Sequence, residues 1–158
     1  MQPGNPLKHF LFTFLLALGL YVIAYSAIEH RRVRNGPWRV TFSYGPTGFP
    51  EMIVNQPKLG LTNVQIAFTN QAPNSNQINQ SFIFDQPRPV PYEVPFGQCL
   101  FMDTTFLPGT VTFNLFGHEI ELLPRVLIID HQEHRWMSAE FIPLPSEPST
   151  NTAKATTP

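Results

Sequence analysis

An uncharged apolar segment near the N-terminus is the feature that most constrains this chain. Residues 10–28, FLFTFLLALGLYVIAYSAI, contain no Asp, Glu, Lys, Arg or His. As an α-helix these nineteen residues would be about 28 Å long, which matches the ~30 Å hydrocarbon core of a bilayer. Such a helix has no polar face to turn toward water, so it needs lipid or a large protein to cover it. The segment therefore predicts a single transmembrane helix.

A cleaved signal peptide is the alternative for this segment. Ala24 and Ser26 flank Tyr25 in the small-x-small form of a cleavage site, and Ala27 follows. The full spanning length and the arginines directly downstream favour an anchor over a signal peptide.

Charges around the segment bear on its orientation in the membrane. Lys8 precedes it, whereas Arg31, Arg32, Arg34 and Arg39 follow it within about fifteen residues. The positive-inside rule therefore predicts that the C-terminal domain is cytoplasmic. The composition of that domain, rich in Asn, Gln, Thr and Pro, is instead typical of an extracytoplasmic β domain, so both orientations stay open at this point.

After residue 36 the chain changes to short segments in which apolar and polar residues alternate. This period of two predicts strands that bury one face. Nine apolar residues of these segments are predicted to share one core, namely Val40, Phe42, Val64, Ile66, Phe68, Phe113, Leu115, Ile120 and Leu122.

Turn residues, rather than helix signals, connect the predicted strands. Gly117-His118 is predicted to be the two-residue turn of a hairpin, and a last strand is predicted over residues 135–142. Seven to nine strands without a helical period predict a mostly β fold, an antiparallel β-sandwich or an open barrel. The predicted regions are an N-terminal tail (1–9), the transmembrane helix (10–28), a basic juxtamembrane linker (29–35), the β domain (36–145) and a disordered tail (146–158).

Composition and motifs exclude several classes of function. The chain has 10 Lys and Arg residues against 11 Asp and Glu residues, so its net charge gives no attraction to nucleic acid. One cysteine, Cys99, excludes an intrachain disulfide and any cluster held by several thiolates of one chain. The sequence has no nucleophile-elbow, P-loop or dinucleotide-binding motif. It therefore favours a protein that is not an enzyme, and it assigns no catalytic residue, cofactor or metal ligand.

Two groups of residues support the alternative class, an enzyme or a metal carrier. Cys99, His118 and Asp103 carry groups that serve as nucleophile, base or metal ligand. The run DHQEH, from Asp130 to His134, is the densest group of metal-capable side chains. The simpler interpretation is that Cys99 is a small buried apolar residue and that DHQEH is a solvated turn between strands.

The proline-rich run QPRPVPYEVPF, residues 86–96, is predicted to be an extended crossing or the cover of a sheet edge, because prolines remove ladder donors. Arg88, Tyr92 and Phe96 in this run belong to residue types that anchor interfaces, so they are candidate contacts to a partner. The alternative is that Tyr92 and Phe96 are buried in their own domain and protect a sheet edge.

Four segments, NGPWRVTF, VNQPKLGLTNVQI, FMDTTFLPGTV and FGHEIELLPR, resemble those of small single-anchor bacterial membrane proteins that have no assigned function. The resemblance covers most of residues 10–142. It implies a bacterial membrane protein with a small β domain, and it supplies no activity and no site residue. Together with the anchor, the β domain predicts a structural, assembly or binding module whose partners are the lipid bilayer and another membrane or envelope protein.

Overall fold

A computed structural model describes residues 6–71 and 78–145 of the chain, which divides into two compact units at Arg34 and Asn35. The first unit is helix α1, Pro6–Val33, in which no residue is buried. The helix is longer at both ends than the predicted span. His30, Arg31 and Arg32 therefore lie in its last turn. Within the described ranges, α1 is the one helix long and apolar enough to cross a membrane. The predicted disordered tail, 146–158, lies outside the described residues.

The second unit is built from strands. Its elements are β1 Trp38–Tyr44, β2 Pro50–Gln56, a 3-10 turn Pro57–Leu59, β3 Leu61–Phe68, β4 Asn79–Phe84, β5 Tyr92–Val94, β6 Gly97–Asp103, β7 Thr110–Leu115, β8 His118–Leu122, β9 Leu127–Ile129, β10 Gln132–His134 and β11 Phe141–Leu144.

The strands form two sheets that pack as a sandwich. One sheet has the order β11-β3-β2-β1-β4, and the other has the order β10-β9-β8-β7-β6-β5. All neighbours are antiparallel except β11, which pairs parallel with β3. Phe42 of the first sheet lies edge-on to Phe113 of the second, with ring centroids 6.0 Å apart. The predicted mostly β fold with a sandwich of antiparallel sheets and an N-terminal apolar helix is confirmed.

The core consists of the inward-facing residues that the alternation selects. All nine residues predicted for the core are at most 2% exposed. Trp38, Met52 and Phe84 add large buried side chains to this core. Full burial of one large apolar side chain contributes about 1.5 to 3 kcal/mol, so this single core is the main stabilising feature of the domain.

Two local predictions were wrong. The β7–β8 turn consists of Phe116 and Gly117, both with positive φ, and His118 is already the first residue of β8. The predicted last strand over 135–142 starts later, at Phe141, because Ser138 and Ala139 form side-chain and backbone hydrogen bonds to Thr62 instead of a ladder. Strand β10, which pairs with β9 just before this loop, was not predicted.

The two ends of the sandwich have different compositions. We call the end that contains Trp38, Gly109 and Leu123 the proximal end, because the chain enters the sandwich there. We call the end that contains Phe68, Phe96 and Phe116 the distal end. Hydrogen bonds and ring contacts between the sheets define both ends: Trp38 donates to the Gly109 carbonyl at one, and Phe68 packs on Phe116 at the other.

Candidate functional site

A histidine and an aspartate form a close polar contact in which the histidine is buried and the aspartate partly buried. His118 Nδ1 lies 2.6 Å from Asp130 Oδ2, and His118 is 5% exposed. An ionised carboxylate only accepts hydrogen bonds, so Nδ1 carries the proton that it donates to Asp130. The pair therefore fixes both the orientation and the tautomer of the imidazole.

Two hairpin turns bring these side chains together. His118 follows the Phe116-Gly117 turn at the start of β8, and Asp130 is the first turn residue between β9 and β10, with φ 50°. Asp and Asn adopt this left-handed conformation more readily than most residues. Backbone bonds complete the arrangement, since Asp130 Oδ1 accepts from the Glu119 N–H at 3.0 Å and the Asp130 N–H donates to the Glu119 carbonyl at 2.9 Å.

A cavity of about 290 Å³ at the distal end adjoins this pair. It lies where β3 and β11 of one sheet end beside the β7–β8 turn of the other. Its walls are Phe68, Asn70, Gln71, Phe116, His118, Leu144 and Pro145. The Phe68 ring packs against the imidazole, with centroids 6.2 Å apart. The cavity thus combines aromatic walls with two amide side chains and one imidazole.

The chemistry of the cavity follows from the groups that line it. Asp130 occupies Nδ1 of His118, so Nε2 is the ring nitrogen left for a ligand, and in the neutral ring it accepts a hydrogen bond. The amides of Asn70 and Gln71 both donate and accept. None of the seven described residues that line the cavity is Lys or Arg.

The structure does not bring the predicted Cys99–His118–Asp103 group together. Cys99 lies on β6 opposite Phe113, whereas His118 lies on β8 opposite Leu115, so one strand and two residue positions separate them. Asp103 ends β6 at the proximal end, where its Oδ1 accepts from the Thr105 N–H at 2.9 Å, and this bond lowers the pKa of its carboxyl group.

Cys99 is fully buried. Its Sγ lies 3.6 Å from the Phe101 carbonyl, and burial raises the pKa of its thiol. A buried protonated thiol is a poor nucleophile and a poor metal ligand. The interpretation of Cys99 as a small core residue therefore fits the structure.

The DHQEH turn does not form a cluster of metal ligands. Asp130 turns back to His118, while His131, Gln132 and Glu133 are exposed. Among the described residues no group of three or more His, Cys, Asp or Glu side chains is arranged to hold a metal ion. The structure instead joins one residue from each of the two predicted groups, His118 and Asp130, which lie 12 residues apart in the chain.

The three predicted partner contacts separate into two places. Arg88 lies over the Tyr92 ring, with its Cζ 5.9 Å from the ring centroid. Tyr92 faces Cys99 across the β5–β6 ladder, and burial raises the pKa of its phenol. The Phe96 ring packs on Phe116 at 5.4 Å, within the domain. The proline-rich run 86–96 supplies the edge strand β5, as the cover of a sheet edge requires. A contact between this run and a partner stays a prediction.

Sequence reasoning missed most of the cavity wall. Asn70 and Gln71 occur in a turn segment rich in Asn and Gln, and nothing in that composition distinguishes them. Phe116 reads as the end of a strand, although it is a turn residue with φ 52°. Only the pairing of the sheets shows that these residues and His118 meet.

Comparison with protein-family models, curated proteins and solved structures finds no match. The bacterial origin that the sequence resemblance implies gains no support from these comparisons, and it stays a prediction.

Proposed function

We propose that this chain is a single-pass membrane protein whose β-sandwich is a binding module, which takes a small neutral polar ligand into the distal cavity beside His118. The observation that carries the proposal is the cavity of about 290 Å³ with an imidazole whose Nδ1 is held by Asp130. A concave site in which a few convergent polar groups lie beside aromatic faces is suited to hold and orient a small molecule.

Membrane anchoring is supported by helix α1. The helix has 28 residues with no buried side chain, and a cluster of basic residues ends it. A signal sequence near the N-terminus meets the same criterion of length and hydropathy. Extraction with alkaline carbonate separates the two: an anchored chain stays in the membrane pellet at full-length mass, whereas a cleaved chain appears in the supernatant with Ala27 as its first residue.

The orientation that we propose places the β domain in the cytoplasm. Arg31 and Arg32 in the last helical turn, followed by Arg34, outnumber Lys8 on the other side. Basic residues next to a span are retained on the cytoplasmic side. Protease treatment of intact cells leaves a cytoplasmic domain uncut, and degradation of the domain would refute this orientation.

The ligand class follows from the cavity. Its volume suits one sugar ring or one amino-acid residue. Asn70, Gln71 and Nε2 of His118 offer hydrogen bonds to hydroxyl or amide groups, and Phe68 and Phe116 offer apolar faces. Without a lysine or arginine in the described wall, an anionic ligand would lose hydration without gaining a cationic partner.

Titration of the full chain in lipid nanodiscs tests the binding site. We use three related probes: N-acetylglucosamine, which is neutral, glucosamine, which is cationic, and glucose 6-phosphate, which is anionic. We expect N-acetylglucosamine to shift the NMR signals of the His118 and Asn70 backbone amides most. Equal shifts for all three probes, or none at millimolar concentration, would refute the proposed ligand class.

Matched variants locate the binding. His118→Gln removes the ring acceptor, and we expect it to weaken binding of N-acetylglucosamine about tenfold, as expected for one lost hydrogen bond of ~1.4 kcal/mol. His134→Gln is the control, because His134 lies on β10 and not on the cavity wall. Equal weakening in both variants would place the ligand elsewhere.

The alternative, an enzyme or a metal carrier, rests on the same pair. An imidazole oriented by a carboxylate is half of a general-base arrangement. Among the described residues, however, the cavity wall has no Ser, Thr or Cys that His118 would activate. Metal analysis of the purified full chain tests the carrier: a stoichiometric metal ion would favour it over the binding module.

A further inference from the structure

Charged side chains are distributed unequally between the two ends of the sandwich. Exposed Lys58, Arg125 and Arg135 all lie in proximal loops, and Arg39 follows the first residue of β1. The distal turns, residues 45–49, 95–96, 116–117 and 130–131, contain no Lys or Arg. Acidic side chains predominate at and beside the distal turns, namely Glu93, Glu119, Asp130 and Glu133.

The proximal end also carries acidic groups, and with Glu121, the last residue but one of β8, they equal its cations in number. Asp85 follows β4, Asp103 ends β6, and Glu140 is half-buried before β11. The Asp103 carboxylate already accepts a hydrogen bond from Thr105. The proximal end carries four cations whereas the distal turns named above carry none, so it is the more positive of the two ends.

Two large apolar side chains are exposed in loops at the same end. Phe106, in the loop between β6 and β7, is 58% exposed, and Met137, in the loop after β10, is 57% exposed. Proteins use cations together with exposed apolar side chains on one surface to bind membranes, because the cations meet headgroups and the apolar groups enter the interface.

If α1 is the anchor that we propose above, the short connection between α1 and β1 keeps the proximal end close to the membrane. Four residues, 34–37, separate the end of α1 from the start of β1. Fully extended, the five Cα–Cα steps from Val33 to Trp38 reach at most about 18 Å. A bilayer that holds α1 is therefore always present at high local concentration for the proximal loops.

We infer that the proximal end of the β-sandwich docks on an anionic bilayer surface, with Lys58, Arg125 and Arg135 at the lipid headgroups and Phe106 and Met137 in the interface. The inference rests on the proposed anchor. It concerns the opposite end of the domain from the ligand cavity, so the cavity stays open to solutes while the domain is docked.

Fluorescence of the full chain in nanodiscs tests the docking. An environment-sensitive dye is attached at Pro124→Cys, an exposed proximal position, or at Thr47→Cys, an exposed distal position; Cys99 is buried and does not compete. Discs contain phosphatidylcholine alone or with one quarter phosphatidylglycerol. With the anionic lipid we expect the dye at 124 to emit at shorter wavelength and to be protected from an aqueous quencher, and the dye at 47 to be unchanged.

Charge variants and salt provide the controls. Each Lys or Arg near an anionic surface changes the docking equilibrium roughly fivefold, so Lys58→Gln/Arg125→Gln/Arg135→Gln lowers it on the order of 100-fold. Arg88→Gln removes an exposed arginine that lies over Tyr92, and we expect it to leave docking unchanged. In about 1 M salt the Debye length is ~3 Å, so the shift at 124 disappears.

The outcomes separate this inference from the proposed anchor. A chain that does not co-elute with the discs refutes the anchor and with it the docking. A chain that co-elutes but shows the same emission at 124 in both kinds of disc, or the same shift at 47 as at 124, refutes the docking alone.

Discussion

The indole rings of Trp38 and Trp136 lie against each other, with centroids 5.3 Å apart and planes tilted by 34°. Each ring also donates its N–H to a backbone carbonyl, Trp38 to Gly109 at 3.0 Å and Trp136 to Leu123 at 2.8 Å. The pair thus joins β1 of one sheet to two loops of the other sheet, at the end where the chain enters the sandwich.

We expect Trp38→Ala to be among the most destabilising single substitutions, because Trp38 is fully buried. Loss of a large buried aromatic side chain costs about 3 to 5 kcal/mol. Urea denaturation of the full chain in detergent, followed by tryptophan fluorescence, measures the change. Trp136→Ala removes a half-buried ring and should cost less; an equal or larger cost would contradict the assignment of Trp38 to the core.

Alanine substitutions at two glycines separate the cost of backbone strain from the cost of a steric clash. Gly117 has φ +85° and open space around its missing Cβ, so Gly117→Ala should cost only the ~1 to 2 kcal/mol of a left-handed non-glycine residue. Gly109 has φ +69°, and a Cβ there would lie 1.8 Å from the Asp103 carbonyl oxygen. Gly109→Ala should therefore cost a further ~1 to 3 kcal/mol. Equal losses in thermal unfolding would show that the loop moves to admit the methyl group.

Burial of Cys99 and Tyr92 predicts a loss of stability at alkaline pH. Burial raises the pKa of both groups, so the folded protein keeps protons that the unfolded chain releases above about pH 8.5 for a thiol and about pH 10 for a phenol. Their contribution to stability is complete below those values and decreases as the pH rises toward the folded-state pKa values. We expect the unfolding free energy to decline less steeply above pH 9 in Cys99→Ala/Tyr92→Phe. Parallel curves would contradict the prediction.

The tautomer of His118 depends on Asp130. Replacement by Asn leaves an oxygen to accept from the Glu119 N–H but removes the carboxylate that requires a proton on Nδ1. We expect the ¹⁵N shifts of the ring in Asp130→Asn to show an increased share of the Nε2–H tautomer, with a loss of about 1 to 2 kcal/mol in stability. Asn tolerates the left-handed backbone at this position. Unchanged ring shifts would show that another group fixes the imidazole.

Phe96 tests whether the proline-rich run covers its own domain. Its ring packs against Phe42 at 6.0 Å, Tyr44 at 5.5 Å and Phe116. We expect Phe96→Ala to lower the unfolding free energy by roughly 3 kcal/mol. Phe106→Ala, at an exposed position, should cost less than about 0.5 kcal/mol. If Phe96→Ala left stability unchanged but abolished binding of a partner, the result would favour the prediction that the proline-rich run contacts a partner.

The core was predictable because it depends on short-range alternation. Each of the nine predicted positions needs only its neighbours two residues away to be assigned to a face, and the period of two holds through β1, β3, β7 and β8. The start of β11 was not predictable in this way. Thr62 provides hydrogen bonds to Ser138 and Ala139 from a position 76 residues earlier in the chain, and local sequence does not contain that information.

The candidate site likewise depends on contacts that local sequence does not predict. The sequence indicates that both His118 and Asp130 are chemically capable residues, but it places them in separate groups. Their pairing depends on the registers of β7, β8 and β9 and on two tight turns with positive φ. A shift of one residue in the β7–β8 turn, as the sequence prediction assumed, would turn His118 away from Asp130.

The parallel pairing of β11 with β3 determines when this domain is able to complete its fold during synthesis. Thr62 bonds Ser138 across 76 residues, and translation adds about 5 to 20 residues per second, so β3 waits roughly 4 to 15 seconds for its last neighbour. During that interval the outer edge of β3 offers unpaired backbone groups to other nascent chains. The sequence separation between β3 and β11 thus sets the length of the period in which the newly synthesised domain is most exposed to aggregation.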